Sequence, residues 1–426
     1  MLEIKKIREN AKQIIKGLNA RGIADAETTI QHLVNIDKDR RENIQNVEQL
    51  KAKGNAAAKS IGKLMAEGKK DEANLAKEVA SQSKAEIKRL EESIKSQEDQ
   101  QESILLNLPN TPDSSVPIGS SEQDNLEISR HGTFVEAPKW AKPHWDLATE
   151  LDIIDWELGA KITGSGFPVY KGQGAKFLRA LIQFFLDEAE DAGYKEMVPP
   201  LLVNEASGYG TGQLPDKEGQ MYHVTGDNLY LIPTAEVPLT NLYRDVIVNN
   251  EDLPIQNCGY TQCFRREAGA YGSHVRGLNR LHQFDKVEII EIVRPEESYA
   301  RLEKMLGHVR NLLDKLELPH RILLLCTGDM GFTSAKTFDL EVFSSAQKRW
   351  LEVSSISNFE TYQSNRLKLR FRHEKKNQLV HTLNGSALAL PRIMAALMEN
   401  NQNEDGSIDL PKVLHRYLRF EKLTKS

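Results

Sequence analysis

Between residues 27 and 108 the chain runs without a proline and with almost no aromatic residue, while apolar side chains return at spacings of three and four. Leu33, Ile44, Val47, Ala58, Ile61 and Met65 form one series. Ile87, Leu90, Ile94, Ile104 and Leu108 form a second, with Gln97 and Gln101 at seam positions. A repeat of that period buries one stripe of a helix against a second helix and fits a strand poorly. AEGKKDEAN, which contains Gly68, parts the two series. The segment is expected to be an antiparallel hairpin of two helices, each about 60 Å long at ~1.5 Å per residue. Asp37, Arg40, Gln97 and Gln101 interrupt the seam, so the hairpin reads as an arm rather than a rigid rod.

The charge on this arm is uneven. Residues 1–110 hold 20 Lys and Arg against 18 Asp and Glu, a net of +2, on a chain whose net charge is −5. Residues 51–70 carry lysines at 51, 53, 59, 63, 69 and 70 and a single acid, Glu67. Such a cluster is ordinarily a solvated helix face. At the tip of a lever on an acidic protein it also suits the backbone of a nucleic acid.

LPNTPDSSVPIGSSEQDN, residues 108–125, has three prolines among small polar residues and reads as a linker. The expected division is an arm at 1–110, a linker at 111–125 and one large domain at 126–426. That domain mixes helical and alternating stretches. GAKFLRALIQFFLDEAEDAG (174–193) and SALALPRIMAALMEN (386–400) read as helices. NLYLIPT, FRRE, FDKVEIIEIV, HRILLLC, TFDLEVF and RWLEVSS read as strands. The fold class expected is α+β: an antiparallel sheet flanked by helices and preceded by a coiled-coil arm.

Several function classes fall away. No apolar run approaches membrane-span length, and MLEIKKIREN has no apolar core for a secretory signal. Cys258, Cys263 and Cys326 supply neither a disulfide framework nor a zinc set, so no zinc and a reducing, cytoplasmic setting are expected. GxxxxGK[ST] and GxGxxG are both missing, so a nucleotide would have to bind on a sheet.

The charged strand residues carry the chemistry. In FRRE, Arg265 and Glu267 share a face if the segment is extended. Phe284 and Glu288 share one along FDKVEIIEIV. TAE offers Thr234 and Glu236, LEVSS offers Glu352, Ser354 and Ser355, and LALPR offers Arg392 just inside the last helix. One arginine on a strand is usually a surface residue, but a lone buried charge costs several kcal/mol unless paired, so a set of them lines a polar cleft. Arginine forks grip phosphate and carboxylate, glutamate takes a divalent cation or an ammonium group, and an aromatic plate stacks a base. Together they suit ATP, Mg²⁺ and an amino acid.

These stretches carry a family resemblance. FRREAG…RGLNRLHQFDKVE resembles motif 2 of the class II aminoacyl-tRNA synthetases, NGSALALPR motif 3 and GYKEMVPP motif 1. TAEVPLT, TGDMGFTSAKTFDLEVF and EVSSISNFETYQSNR are similar to blocks of the seryl-tRNA synthetases of bacterial type. The arm matches too, and the resemblance spans essentially the whole chain. It implies activation of L-serine with ATP and Mg²⁺, and transfer to tRNA(Ser), with tRNA(Sec) as a further acceptor, by a homodimer without a membrane role. Serine would be held by Thr234, Ala235, Glu236, Arg265, Glu288 and Ser386. ATP would be held by Arg265, Arg266, Glu267, Arg280, Leu281, Phe284, Glu352, Val353, Ser354, Ser355 and Arg392, with Phe284 and Arg392 on the two faces of the adenine. Glu352 and Ser355 would hold Mg²⁺. Arg265, Arg280 and Arg392 would carry catalysis, and Lys51, Lys53, Lys59 and Lys63 would meet tRNA. Many relatives have Ser where Arg266 stands, and its side chain is expected to point away from Arg265. An amino-acid-activating ligase that loads a carrier protein would share the catalytic domain but lack the arm. A silent scaffold would not need Arg265, Glu267, Glu288, Glu352 and Arg392.

Overall fold

The computed structural model describes residues 1–267 and 276–425. The glycine-bearing part of the motif-2 stretch, 268–275, lies outside them. The chain forms two compact units, Leu2–Pro109 and a larger one made of Met1 and Asn110–Ser426. Among the described residues no helix is long and apolar enough to cross a membrane.

In the smaller unit, short helices α1 (Ile4–Glu9) and α2 (Ala11–Ala20) pack on the base of a hairpin, α3 (Ala26–Ala66) and α4 (Lys70–Leu106). The heptad spacing explains the pairing: Ile30, Leu33 and Val47 are buried on α3, and Ala73, Leu90 and Leu105 on α4. The helices turn back at Gly68, whose φ of +76° is a left-handed conformation that glycine adopts without steric cost. Two of the polar residues in the seam are bonded across or along it: Gln97 accepts from Asn43 Nδ2 at 3.2 Å, and Asp37 is held by arginines. Asp37 is fully buried and accepts from Arg8 (2.7 Å) and Arg41 (2.9 Å). Burial raises its proton affinity, but the two arginines outweigh that, and its carboxyl sits below the usual range.

The larger unit is built on an eight-stranded sheet. Its strands are β1 (Leu126–His131), β2 (Lys195–Glu196), β3 (Ile255–Phe264), β4 (Gln283–Val293), β5 (His320–Leu324), β6 (Lys336–Ser344), β7 (Arg349–Asn358) and β8 (His381–Ala389). They lie in the order β1-β5-β6-β7-β8-β4-β3-β2, antiparallel throughout except for the short edge pair β2–β3. Alternate residues on one face, Val287, Ile289, Leu340, Val342, Val353 and Ile356, meet three helices: α6 (Gly172–Asp191), α7 (Ser298–Lys315) and α8 (Leu390–Asn400). Helix α6 presents Phe177, Leu181, Phe184 and Phe185, spaced four, three and one, as an apolar stripe. A shorter helix, α5 (His144–Glu150), packs against α8. On the opposite face Ile290 and Ile292 of β4 join a second apolar cluster with Ala235, Leu367 and Phe371, while Lys286, Ser355 and Ser386 leave the neighbouring part polar.

Two expectations need correction. Residues 386–389 belong to β8, not to the last helix. Helix α8 begins at Leu390 because Pro391 lies in its first turn, where a missing N–H costs nothing. FRRE is not extended: β3 stops at Phe264, and Glu267 has φ +49°, a left-handed turn. Residues 110–125 run along the larger unit. Asn110 donates to the carbonyls of Thr333 and Phe359 (3.0 and 2.9 Å), and Val116 is buried with Leu323, Leu325 and Met330.

Candidate active site

The exposed face of the sheet holds a cavity of about 470 Å³. Its floor comes from the apolar-to-polar alternation of β4, β7 and β8, and its rim from the turns at 233–236 and 278–281 and the start of α8. Thr234, Glu236, Arg265, Glu267, Arg280, Leu281, Phe284, Glu352, Val353, Ser354, Ser355, Ser386 and Arg392 all line it. Side chains far apart in the chain are thus brought into one space. Three expected residues do not line it. Ala235 is fully buried, Arg266 is exposed with its backbone N–H donated to Gln220, and Glu288 lies beneath the floor at 0% exposure.

One end is small and dense in carboxylates. Glu236 is buried and accepts from Gln363 Nε2 at 2.6 Å. Burial first, and the charge of Glu288 second, push its carboxyl up to about 7 against the pull of Gln363, Lys286 and Arg265. Glu288 accepts from Asn384 Nδ2 at 2.8 Å and forms an ion pair with Lys286, which also donates to Thr234 Oγ1 at 2.9 Å. Ser354 Oγ donates to the Ser386 carbonyl at 2.6 Å, fixing β8 over β7. This end can take an ammonium group and a short polar side chain.

The other end is arginine-rich. Arg265 donates through Nε to the Pro233 carbonyl (3.3 Å), and its guanidinium lies 5.3 Å from the Phe284 ring centre. The left-handed turn at Glu267 brings its carboxylate to Arg280, at 2.7 Å. Arg392 donates to the carbonyls of Asn279 (3.0 Å) and Glu352 (2.6 Å) and stands 3.6 Å from the Glu352 carboxylate. In this structure the side chain over Phe284 is therefore Arg265, while Arg392 is held at the rim. A bulge between Leu340 and Glu341 sets Asp339 opposite Ser355 and Glu341 opposite Glu352.

Lys286, Gln363, Asn384, Asn279 and Asp339 escaped the sequence reading. Lys286 had a signal, since residues 284, 286 and 288 alternate onto one face. The others had none, because their partners lie far away in the chain. On the arm, Lys51, Lys53, Lys59 and Lys63 are all exposed on α3. Lys51 pairs with Glu91 (2.8 Å), and Lys59 and Lys63, one turn apart, share a face that Lys53 does not.

Comparison with known proteins accounts for both units. Residues 222–401 match the family described as tRNA synthetase class II core domain (G, H, P, S and T), and residues 1–112 match the seryl-tRNA synthetase N-terminal domain. A serine–tRNA ligase of Salinibacter ruber is 50% identical over 99% of both chains, and one of Carboxydothermus hydrogenoformans is 44% identical over the full length of both. The crystal structure of seryl-tRNA synthetase from Pyrococcus horikoshii complexed with ATP superposes with a TM-score of 0.92 at 33% identity, covering all of both chains. With that identity sustained from the first helix of the arm to the end of the sheet domain, the chain belongs to the seryl-tRNA synthetases of class II.

Proposed function

We propose that the cavity on the sheet joins L-serine to ATP and that the arm holds the tRNA to which the seryl group then passes. The observation that carries this reading is the convergence of arginines, carboxylates and Phe284 in one cavity of a chain half identical to a serine–tRNA ligase. In the first step a serine carboxylate oxygen bonds to the α-phosphorus, the bond to the bridging oxygen breaks, and pyrophosphate leaves. In the second, the 3′-terminal ribose hydroxyl of tRNA attacks the seryl carbonyl and AMP leaves. No covalent enzyme intermediate is needed, so catalysis is positioning plus neutralisation of charge.

Glu236 and Thr234 take the serine ammonium and hydroxyl, and Glu288 acts from beneath through Lys286 and Asn384. Arg265 spans the serine carboxylate and the α-phosphate. Arg280 and Arg392 meet the outer phosphates and the adenine, and Glu267 and Leu281 border the base. The donor set also fits Mg²⁺. Glu352 and Ser355 offer hard oxygens to the cavity, and Asp339, opposite Ser355, keeps a buried Oδ1 without a hydrogen-bond partner. Burial and the charge of Glu352 raise the Asp339 carboxyl well above its usual range, which a neighbouring cation relieves. When bound, Mg²⁺ supplies charge neutralisation at the phosphates. Among the described residues no three His, Cys, Asp or Glu side chains cluster to hold a metal alone, which suits an ion held jointly with phosphate oxygens. The acceptor tRNA is recognised by shape and backbone through the arm, a mode that extends to tRNA(Sec). A homodimer is part of the reading. Strand β2 is a two-residue sheet edge, and Val198 beside it is 87% exposed.

The direct test is serine-dependent exchange of pyrophosphate into ATP, followed by tRNA charging. Exchange without charging of any tRNA would favour a ligase for another acceptor. The Glu236 carboxyl adds a pH test. Its charged form attracts the ammonium group, so binding strengthens as pH rises through about 7. The KM for serine is expected to fall about tenfold from pH 6 to pH 8, with the KM for ATP steady. Glu236→Gln is expected to bind serine weakly at both values. A wild-type serine KM that is flat across this range would show that Glu236 does not meet the ammonium.

A further inference from the structure

We infer that Glu399 and His144, buried outside the cavity, are positioning residues for its nucleotide end. This rests on the reading of that end as the ATP site. Glu399 is on α8, seven residues and two turns beyond Arg392, and is 1% exposed. Its carboxylate accepts four donors. The His144 backbone N–H and Nδ1–H reach Oε1 at 2.9 and 2.6 Å, Gln347 Nε2 reaches the same oxygen at 2.9 Å, and Ser344 Oγ donates to Oε2. A buried carboxylate so surrounded is satisfied and fixed in orientation.

His144 passes that orientation on. The Leu278 N–H donates to His144 Nε2 at 2.8 Å, so Nε2 is the acceptor and Nδ1 carries the proton toward Glu399. The chain can come this close only because residue 277 is glycine. Its φ is +68°, and a Cβ there would lie 2.3 Å from His144 Nε2. Gln347 makes the second link. Asn279 Nδ2 donates to Gln347 Oε1 at 2.9 Å, and the Asn279 carbonyl receives Arg392 Nε at 3.0 Å. Leu278, Asn279, Arg280, Leu281 and Arg392 all line the cavity. One carboxylate therefore sets the rim turn at 278–281 through His144, and Arg392 through Gln347 and Asn279. The dense carboxylate end, with Thr234, Glu236 and Lys286, shares none of these bonds. The network therefore acts on ATP and leaves serine alone.

The test measures ATP binding by calorimetry on the full-length protein without serine. The KM for each substrate in pyrophosphate exchange and the Tm are measured alongside. Gln347→Ala, at a half-buried turn position, cuts one link without opening the core. His144→Asn keeps a donor toward Glu399 but removes the acceptor for Leu278. Each variant is expected to weaken ATP binding about tenfold, the effect of removing one buried hydrogen bond. The serine KM should stay within about twofold, even where Gln347→Ala lowers the Tm by the cost of one buried hydrogen bond. Unchanged ATP affinity in both variants would overturn the inference. So would equal weakening for serine and ATP together with a lowered Tm, the signature of general loosening. A wild-type protein without serine-dependent exchange would instead overturn the reading of the site itself.

Discussion

Arg265→Ala is expected to lower serine-dependent pyrophosphate exchange by a factor of about a hundred or more while leaving the Tm unchanged. The side chain meets the protein at the Pro233 carbonyl and across the Phe284 ring, both at the cavity surface, so removing it opens no hole in the core. What disappears is a fixed cation aimed where charge builds up at phosphorus. Removal of a single preorganised donor of that kind costs about 3 kcal/mol. Arg265→Lys should recover part of the rate, since it restores a charge but not the two-pronged fork. The measurement is exchange at saturating serine and ATP, beside thermal melting. Near-normal exchange in Arg265→Ala would mean that another group neutralises the developing charge.

Deleting residues 27–108 and closing the gap with a short flexible linker is expected to abolish tRNA charging and leave serine activation nearly intact. No cavity residue lies in that stretch, which belongs to the compact unit Leu2–Pro109 and not to the one that holds the cavity. A gentler variant replaces Lys51, Lys53, Lys59 and Lys63 with alanine. Each lysine–phosphate pairing removed should flatten the salt dependence of tRNA binding by a log-log slope of about 0.7 to 0.9. Lys53 lies off the face shared by Lys59 and Lys63, and Lys51 is engaged with Glu91, so not all of these lysines are expected to meet phosphate. Affinity and slope both unchanged in that variant would make the lysines a solvated face. Charging that survives the deletion would overturn the role of the arm.

How much of this was legible in the sequence depended on how local the determining forces are. The arm was readable because a heptad seam records its own partner, and Gly68 marks the turn. The two helices before Ala26 went unread because they are short and packed by tertiary interactions. Most cavity residues could be named because a charged side chain on an alternating strand needs a polar place to go. Arg266 and Glu288 were also named, yet one faces outward and the other lies under the floor. That difference depends on where β3 ends and on Lys286 covering Glu288. The start of α8 was misplaced although Pro391 announces it, because SALAL suits a helix as well as a strand. The left-handed Glu267 had no glycine to signal it. Nothing local could reveal the union of His144 with Glu399 across 255 positions.

Strand β8 runs directly into α8, so Ser386 and Arg392 are two ends of one short, covalently continuous piece. The gap between the amino-acid and nucleotide ends on this side is therefore a ruler made of backbone, which side-chain repacking cannot lengthen. An attempt to refit the small end for a larger amino acid by moving β8 would drag the rim arginine with it. Room must instead come from trimming Thr234, Glu236 or the Lys286 stem, which belong to other segments. Amino-acid choice can drift at those positions, while the grip on the nucleotide stays tied to the frame.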